Sequence, residues 1–348
     1  MESGLGQTAP REVAKNRSPG ARPTRRSARL PANSSRQLVP PARPARPPGS
    51  PARLARPARR TPREPGSWKD AAMPLRVATT QPVATTDVPA NGSKARELMR
   101  LAAGEGARLI HFPEGFLSGY AKEQIADWDD VDWAAVRAEI RAIAHLATEL
   151  RIWVVIGSAH PLTPPNRPHN SLYVISDRGE VVNRYDKRFC SNTEITRFYS
   201  PGFEPVVFDV DGYRFGCAIC VEVNFPSVFI EYDRLGVDCL LLSAWPIDSV
   251  FFLKARSHAA IHNYWLSLSV PAQSADLMPS AIIGPDGSES ASIHAPGELA
   301  IATLDRDAPE FHIAVNLARP WRADADLGDI YRRRRVDDDP RSDDRTAV

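Results

Sequence analysis

The chain has 348 residues, 43% hydrophobic and 25% charged, which is enough for one large domain or two small ones around a substantial core. Its formal net charge of +2 conceals two unlike parts, +12 over residues 1–72 and −10 over the rest. No apolar run approaches the ~18 residues of a membrane helix, so no helical span is expected.

Residues 1–72 also hold 13 of the 32 prolines and show neither helical nor strand periodicity. Such a segment buries too little surface to offset its ordering entropy, which predicts a disordered Arg/Pro-rich arm. A basic arm is one route to nucleic acid, and an Arg/Ser-rich start is one form of targeting peptide. Yet no aromatic residue interleaves the arginines before Trp68 and no apolar h-region is present, so no nucleic-acid partner is expected. Met73, just before the strand-like run "LRVATTQ", reads as the true start. Four cysteines (Cys190, Cys217, Cys220 and Cys239) without a secretory signal predict free thiols and a cytoplasmic location.

From residue 75 onward, strand and helix patterns alternate. Short β-branched runs predict strands at 75–80, 108–112, 153–157, 171–176, 181–185, 206–210, 213–219, 237–243 and 265–270. "DRGE" at 177–180, "DVDGY" at 209–213 and "GPDG" at 284–287 put Asp and Gly where hairpin turns need them. Helices are predicted at 92–104, 132–150, 225–235 and 249–263; in the second, Trp133, Val136, Ile140, Ile143 and Ala147 share one face. Hairpin-joined strands with intervening helices predict an α/β (α+β) chain with two helix-covered sheets rather than one doubly wound parallel sheet. The domain is expected over 73–318. A charged tail comes after it over 319–348, and its "YRRRRVDDD" run reads as a solvated or subunit-contacting segment.

The stretch "YRFGCAICVEVNFPSV" sets Cys217 and Cys220 three apart. Cys190 and Cys239 stand alone and no His pair lies at finger spacing, which argues against zinc. Strand alternation places Cys217 and Cys220 on opposite faces, which argues against a disulfide between them. Cys217 reads as a small buried hydrophobe. Cys220 falls where the strand ends and a helix signal begins, a corner that can present a thiol near free backbone N–H groups. On this feature alone a structural cysteine is the commoner case.

Two further segments add chemistry. "RLIHFPEGFLSGY" places Glu114 just past an apolar strand, poised to act as a base with a raised pKa, although an isolated Glu there is usually a loop or cap residue. "VVNRYDKRF" delivers Lys187 at a strand end, where a solvated lysine is the ordinary reading. Taken together, Phe112-Pro113-Glu114 with Gly119-Tyr120, Tyr185-Asp186-Lys187, and Cys220-Val221-Glu222-Val223-Asn224-Phe225-Pro226 resemble the nitrilase superfamily of carbon–nitrogen hydrolases. The resemblance spans about residues 74–335 and includes the "GPDG" hairpin.

That resemblance implies a four-layer α-β-β-α sandwich and a Glu-Lys-Cys triad of Glu114, Lys187 and Cys220. It implies Glu194 as a second glutamate ordering the lysine, no metal or organic cofactor, and a small-molecule amide-like substrate. Tyr120, Glu222 and Trp245 are candidates for a substrate pocket, and a homodimer or larger homo-oligomer is expected. The sequence departs from the pattern at "AAIHN", where Ala259 and His262 stand in a segment that often reads R-A-x-E-N. Relatives that cleave N-carbamoyl amino acids tend to place arginines just after the nucleophile, and 221–225 contain none. A linear amide is therefore the favoured substrate, ahead of nitrile or N-carbamoyl hydrolysis and acyl transfer to an amine. The rivals from other classes are a binding protein acting through the basic arm and a CxxC redox protein.

Overall fold

The computed structural model describes residues 73–294, 297–336, 338–343 and 346. The disordered arm expected over 1–72 lies outside the described residues. One six-stranded sheet contains β1 (Leu75–Thr80), β2 (Leu109–His111), β3 (Trp153–His160), β4 (His169–Ile175), β5 (Val181–Asp186) and β12 (Leu299–Leu304), in the order β12-β1-β2-β3-β4-β5. The other contains β6 (Val207–Val210), β7 (Tyr213–Ile219), β8 (Cys239–Ser243), β9 (Trp265–Ser269), β10 (Ala281–Ile283) and β11 (Glu289–Ser292), in the order β11-β10-β9-β8-β7-β6.

Period-2 alternation sorts each strand between two cores. In the first sheet Leu75, Val77, Leu109, Val155, Leu172 and Val174 join Phe215 and Leu241 of the second in one buried cluster between the sheets. The intervening Ala78, Ile110, Val154 and Ile156 face outward into a second cluster with Leu98 and Met99 of α1 (Val88–Gly104) and Ile140 and Ile143 of α2 (Trp133–Leu150). On the far side α3 (Pro226–Arg234) and α4 (Val250–His262) cover the second sheet with Phe229, Tyr232, Ala255 and Ala259. The layers run helix, sheet, sheet, helix.

Two boundaries differ instructively from the sequence reading. Helix α1 starts at Val88, four residues before the expected Gly92, because Asp87 caps it by accepting from the Ala90 amide and Pro89 occupies its first turn. Strands β10, β11 and β12 have no counterpart among the predicted elements. The first two form a hairpin around "GPDG", and β12 pairs antiparallel with β1 along its whole length, Leu75 opposite Leu304. After the sheets, α5 (Arg319–Asp326), α6 (Asp329–Arg332) and α7 (Pro340–Asp343) complete the described chain. Among the described residues no helix is long and apolar enough to cross a membrane.

Candidate active site

Glu114 follows β2, Lys187 follows β5, Cys220 follows β7 and Trp245 lies just past β8. Within the first sheet β2 and β3 are parallel, and β5 shares their direction because both β3 and β5 pair antiparallel with β4. Strands β7 and β8 are likewise parallel. Chain ends that carry chemistry therefore gather at the carboxyl ends of the strands. The loop bearing Glu114 lies flat against β3: Phe112 N–H donates to Val155 O at 2.9 Å and Leu117 N–H to Gly157 O at 2.9 Å. A Cβ at position 157 would strike the Pro113 carbonyl, so glycine is required for this close approach.

Lys187 and Glu114 are fully buried and Glu194 nearly so. The Lys187 ammonium donates to Glu114 Oε1 at 2.9 Å and to Glu194 Oε1 at 2.7 Å. Glu194 also accepts from the Ser191 amide at 2.7 Å. Burial pushes Glu194 upward, but Lys187 and the Ser191 amide outweigh it and hold the carboxyl below its ordinary value. Burial likewise disfavours the Lys187 charge, and the negative groups around it more than compensate, so its pKa lies well above normal. Glu114 also accepts from Asn170 Nδ2 at 2.7 Å and, through Oε2, from the Trp245 amide at 2.8 Å. Burial dominates there and raises its pKa above the ordinary carboxylate value despite Lys187.

Cys220 has φ +49°, a left-handed conformation uncommon outside glycine. Strand alternation ends at Ile219, and Cys220 opens a short 3₁₀ turn, Cys220–Asn224. Its Sγ donates to Trp245 O at 3.6 Å, so the same residue contacts Glu114 through its N–H and Cys220 through its carbonyl. Burial and the neighbouring Glu114 push the thiol pKa up, against the pull of Lys187. All four cysteines are free, and Cys217 is buried within the core between the sheets.

Glu222 has a setting unlike the pocket wall expected of it. It is fully buried, and its oxygens accept from Tyr185 OH (2.8 Å), Arg188 N–H (2.8 Å), Phe189 N–H (3.0 Å) and Ile219 N–H (2.7 Å). It ties residues flanking Lys187 to the residue preceding Cys220. Burial pushes its pKa up, against the Ile219 and Phe189 amides. A protonated carboxyl would face donors on nearly every side, so the ionised form fits the geometry. Tyr120 and Trp245 stack with ring centroids 4.8 Å apart and form an aromatic wall carried by the Glu114 loop and the β8 end. Among the described residues no three His, Cys, Asp or Glu side chains group as a metal site.

Asn170 and His111 escape a reading of the sequence. Both sit inside apolar strands, where a polar side chain facing the inner layer is the only available signal. The departures at Ala259 and His262 have a structural setting too: Ala259 is fully buried in the core, and His262 Nδ1 lies 3.2 Å from Asp233 Oδ2.

The sequence profile of the carbon–nitrogen hydrolase family matches residues 76–310, and the chain belongs to that family. A Mycobacterium tuberculosis protein described only as a hydrolase is 31% identical over 178 residues, covering 48% of this chain and 60% of its own length. The chain thus spans about three fifths of the length of the first such relative. The omega-amidase NIT3 of Saccharomyces cerevisiae is 23% identical over 264 residues, 69% of this chain and 90% of that protein. Among solved structures, an amidase of Nesterenkonia sp. AN1 in complex with butyramide superposes with a TM-score of 0.61 at 20% identity, covering 73% of this chain and 95% of that one.

Proposed function

We propose that the protein hydrolyses a small linear amide, with Cys220 as nucleophile, Glu114 as general base and acid, and Lys187 as oxyanion stabiliser. The observation that carries this reading is a fully buried lysine bridging two carboxylates, one of which shares the Trp245 peptide with a left-handed cysteine.

The charges explain the order of events. Lys187 and Glu194 cancel, leaving one negative charge on Glu114 and a neutral thiol. A resting thiolate would make two buried negative charges, which the raised Cys220 pKa reflects. Glu114 takes the thiol proton as sulfur attacks the amide carbon, so the single negative charge moves to the carbonyl oxygen. The Lys187 ammonium and the N–H of Val221, at the first turn after the nucleophile, stabilise that oxyanion. Glu114 returns the proton to the nitrogen, the C–N bond breaks and ammonia leaves a thioester. Water then adds with its proton passing to Glu114, the C–S bond breaks, and the thiolate recovers that proton as the acid departs.

Linear amides are favoured because 221–225 offer no arginine for the carboxylate of an N-carbamoyl amino acid, and because relatives include an omega-amidase and an amidase crystallised with butyramide. Glu222 is read as a positioning residue rather than a substrate contact. Exposed apolar side chains on α4 (Val250, Leu253, Ile261) and near the C-terminus (Ile313, Leu317, Trp321) support a homo-oligomer. The buried free thiols Cys217 and Cys239 accord with the reducing cytoplasm.

The test is kcat/KM for a matched amide and nitrile of one acyl group, with Cys220→Ala and Glu114→Gln alongside. The amide should turn over faster and both variants should be inactive. A nitrile preference, or an active Cys220→Ala protein, overturns the reading.

A further inference from the structure

His111 ends β2 with its ring between the two sheets and is completely buried. Its Nε2 lies 2.8 Å from Ser243 Oγ on β8, and its Nδ1 lies 3.0 Å from Ser267 Oγ on β9. Ser243 Oγ donates its only proton to Phe112 O at 2.8 Å, so toward the ring it can only accept. The ring is therefore the Nε2–H tautomer, and Nδ1 receives the Ser267 hydroxyl proton. Every polar atom in the group is paired, and burial lowers the His111 pKa to about 3, which keeps the ring neutral.

The clasp between these two strands lies directly behind the reacting groups. Three residues past His111 stands Glu114; two past Ser243 stands Trp245, whose amide donates to Glu114 Oε2 at 2.8 Å. The segments 111–114 and 243–245 thus form a short ring of chain closed at one end by the His111–Ser243 contact and at the other by the Trp245–Glu114 bond. The rest of the seam is polar as well: Thr80 Oγ1 donates to His111 O at 2.9 Å and Ser269 Oγ to Thr80 O at 2.8 Å. Between two otherwise apolar sheets, such a row sets one register, because any slip leaves buried donors unpaired.

We propose that Ser243, which accepts from His111 Nε2–H and donates to Phe112 O, is a positioning residue that fixes the Glu114 carboxylate against the Trp245 peptide and so sets both the geometry and the basicity of the general base. The inference rests on Glu114 being that base. Loosening the clasp lengthens the Trp245 N–H bond to Glu114 Oε2, which removes a donor that stabilises the charged carboxylate. The base then titrates at higher pH and sits farther from the thiol.

The experiment compares kcat, KM, the pH profile of kcat and the melting temperature for wild type, Ser243→Ala, Ser267→Ala and Glu114→Gln. Ser243→Ala should lose about 10-fold in kcat with KM held, as an ångström-scale displacement of a catalytic group implies, and its acid limb should move to higher pH. Ser267→Ala cuts the bond on the far side of the same ring and should lose several-fold less, with the acid limb in place. If Ser243→Ala is too unstable to assay, Ser243→Thr and Ser243→Cys give the same comparison, the first keeping the hydroxyl and the second replacing it with a weaker thiol donor. Activity and acid limb that follow the hydroxyl support the proposal. Equal effects at 243 and 267, or losses that merely track melting temperature, overturn it. An active Glu114→Gln protein would instead overturn the underlying reading, so the two failures are distinguishable.

Discussion

At the scale of single residues, the proposed reaction turns on one net negative charge shared by Glu114 and Cys220, the charges of Lys187 and Glu194 cancelling. Glu194 is held ionised by Lys187 and the Ser191 amide, while burial raises both Glu114 and Cys220. These shifts fix the sign of the pH dependence. In the proposed reaction Glu114 acts in its ionised form, and burial holds its pKa above the ordinary carboxylate value, so kcat should fall as pH drops through a limb above the ordinary carboxylate range. Lys187 lies well above its ordinary value and sets no alkaline limb below about pH 10.4. A rate profile with an acid limb at or below the ordinary carboxylate pKa would contradict this assignment. The same charges bear on thiol reactivity. Burial lifts Cys190 to about 12 and raises Cys217 and Cys239 as well, and the Cys190 thiol donates to the Lys187 carbonyl rather than to a carboxylate. Limiting iodoacetamide should therefore modify Cys220 first, through Glu114, and peptide mapping checks it; preferential labelling of another cysteine defeats the idea.

At the scale of elements, the ends of strands matter more than their middles. The apolar runs of β1, β3, β4, β7 and β8 are legible in the sequence because their side chains face a core and are β-branched or large. Strands β10 to β12 are harder to read: "AII" is three residues long, and "ESAS" is polar and partly exposed. Their pairing comes from neighbours distant in sequence, which no local pattern records. The Cys217/Cys220 spacing reads as non-redox, but alternation alone cannot show that Cys220 leaves the strand at φ +49°. Nor can it reveal Glu222 as the brace between β5 and β7. Glu222→Gln keeps the shape but replaces one acceptor oxygen by a donor nitrogen facing backbone N–H groups. Each buried donor left unpaired costs about 1–3 kcal/mol. The variant should melt lower and lose at least ~10-fold in kcat as Lys187 and Cys220 separate. Full activity in Glu222→Gln would show that the brace is not needed.

For the described domain as a whole, its C-terminal segment closes the layer that carries Cys220. Helices α3 and α4 begin beside the active-site turns and end together at the opposite side, with Asp233 near the end of α3 and His262 at the end of α4. From α5, Arg319 donates to Val237 O at 2.6 Å, and Arg322 donates to Asn263 Oδ1 at 2.6 Å and His262 O at 2.7 Å. Both guanidinium groups also lie within ion-pair distance of Asp233, at 3.7 and 3.5 Å. Cations placed there satisfy the carbonyls at a helix end and complement its dipole. In this chain, with Ala259 and His262 in the segment that often reads R-A-x-E-N, guanidinium groups reach the α3–α4 junction from α5. Burial pushes Asp233 up, but His262, Arg319 and Arg322 together hold it below its ordinary value. A carboxyl lowered by folding contributes stability above its unfolded pKa and loses it as pH falls through the folded one. Asp233→Asn should accordingly cost about 2 kcal/mol near neutrality, between an exposed pair and a buried one, or roughly 5 °C in melting temperature. The gap between variant and wild type should narrow below about pH 4, where Asp233 protonates first in the unfolded chain, and close as pH falls through the lower value of the folded carboxyl. Melting curves at pH 7 and pH 3 measure both effects; a gap that persists undiminished in acid would show that Asp233 supports the fold through shape rather than charge.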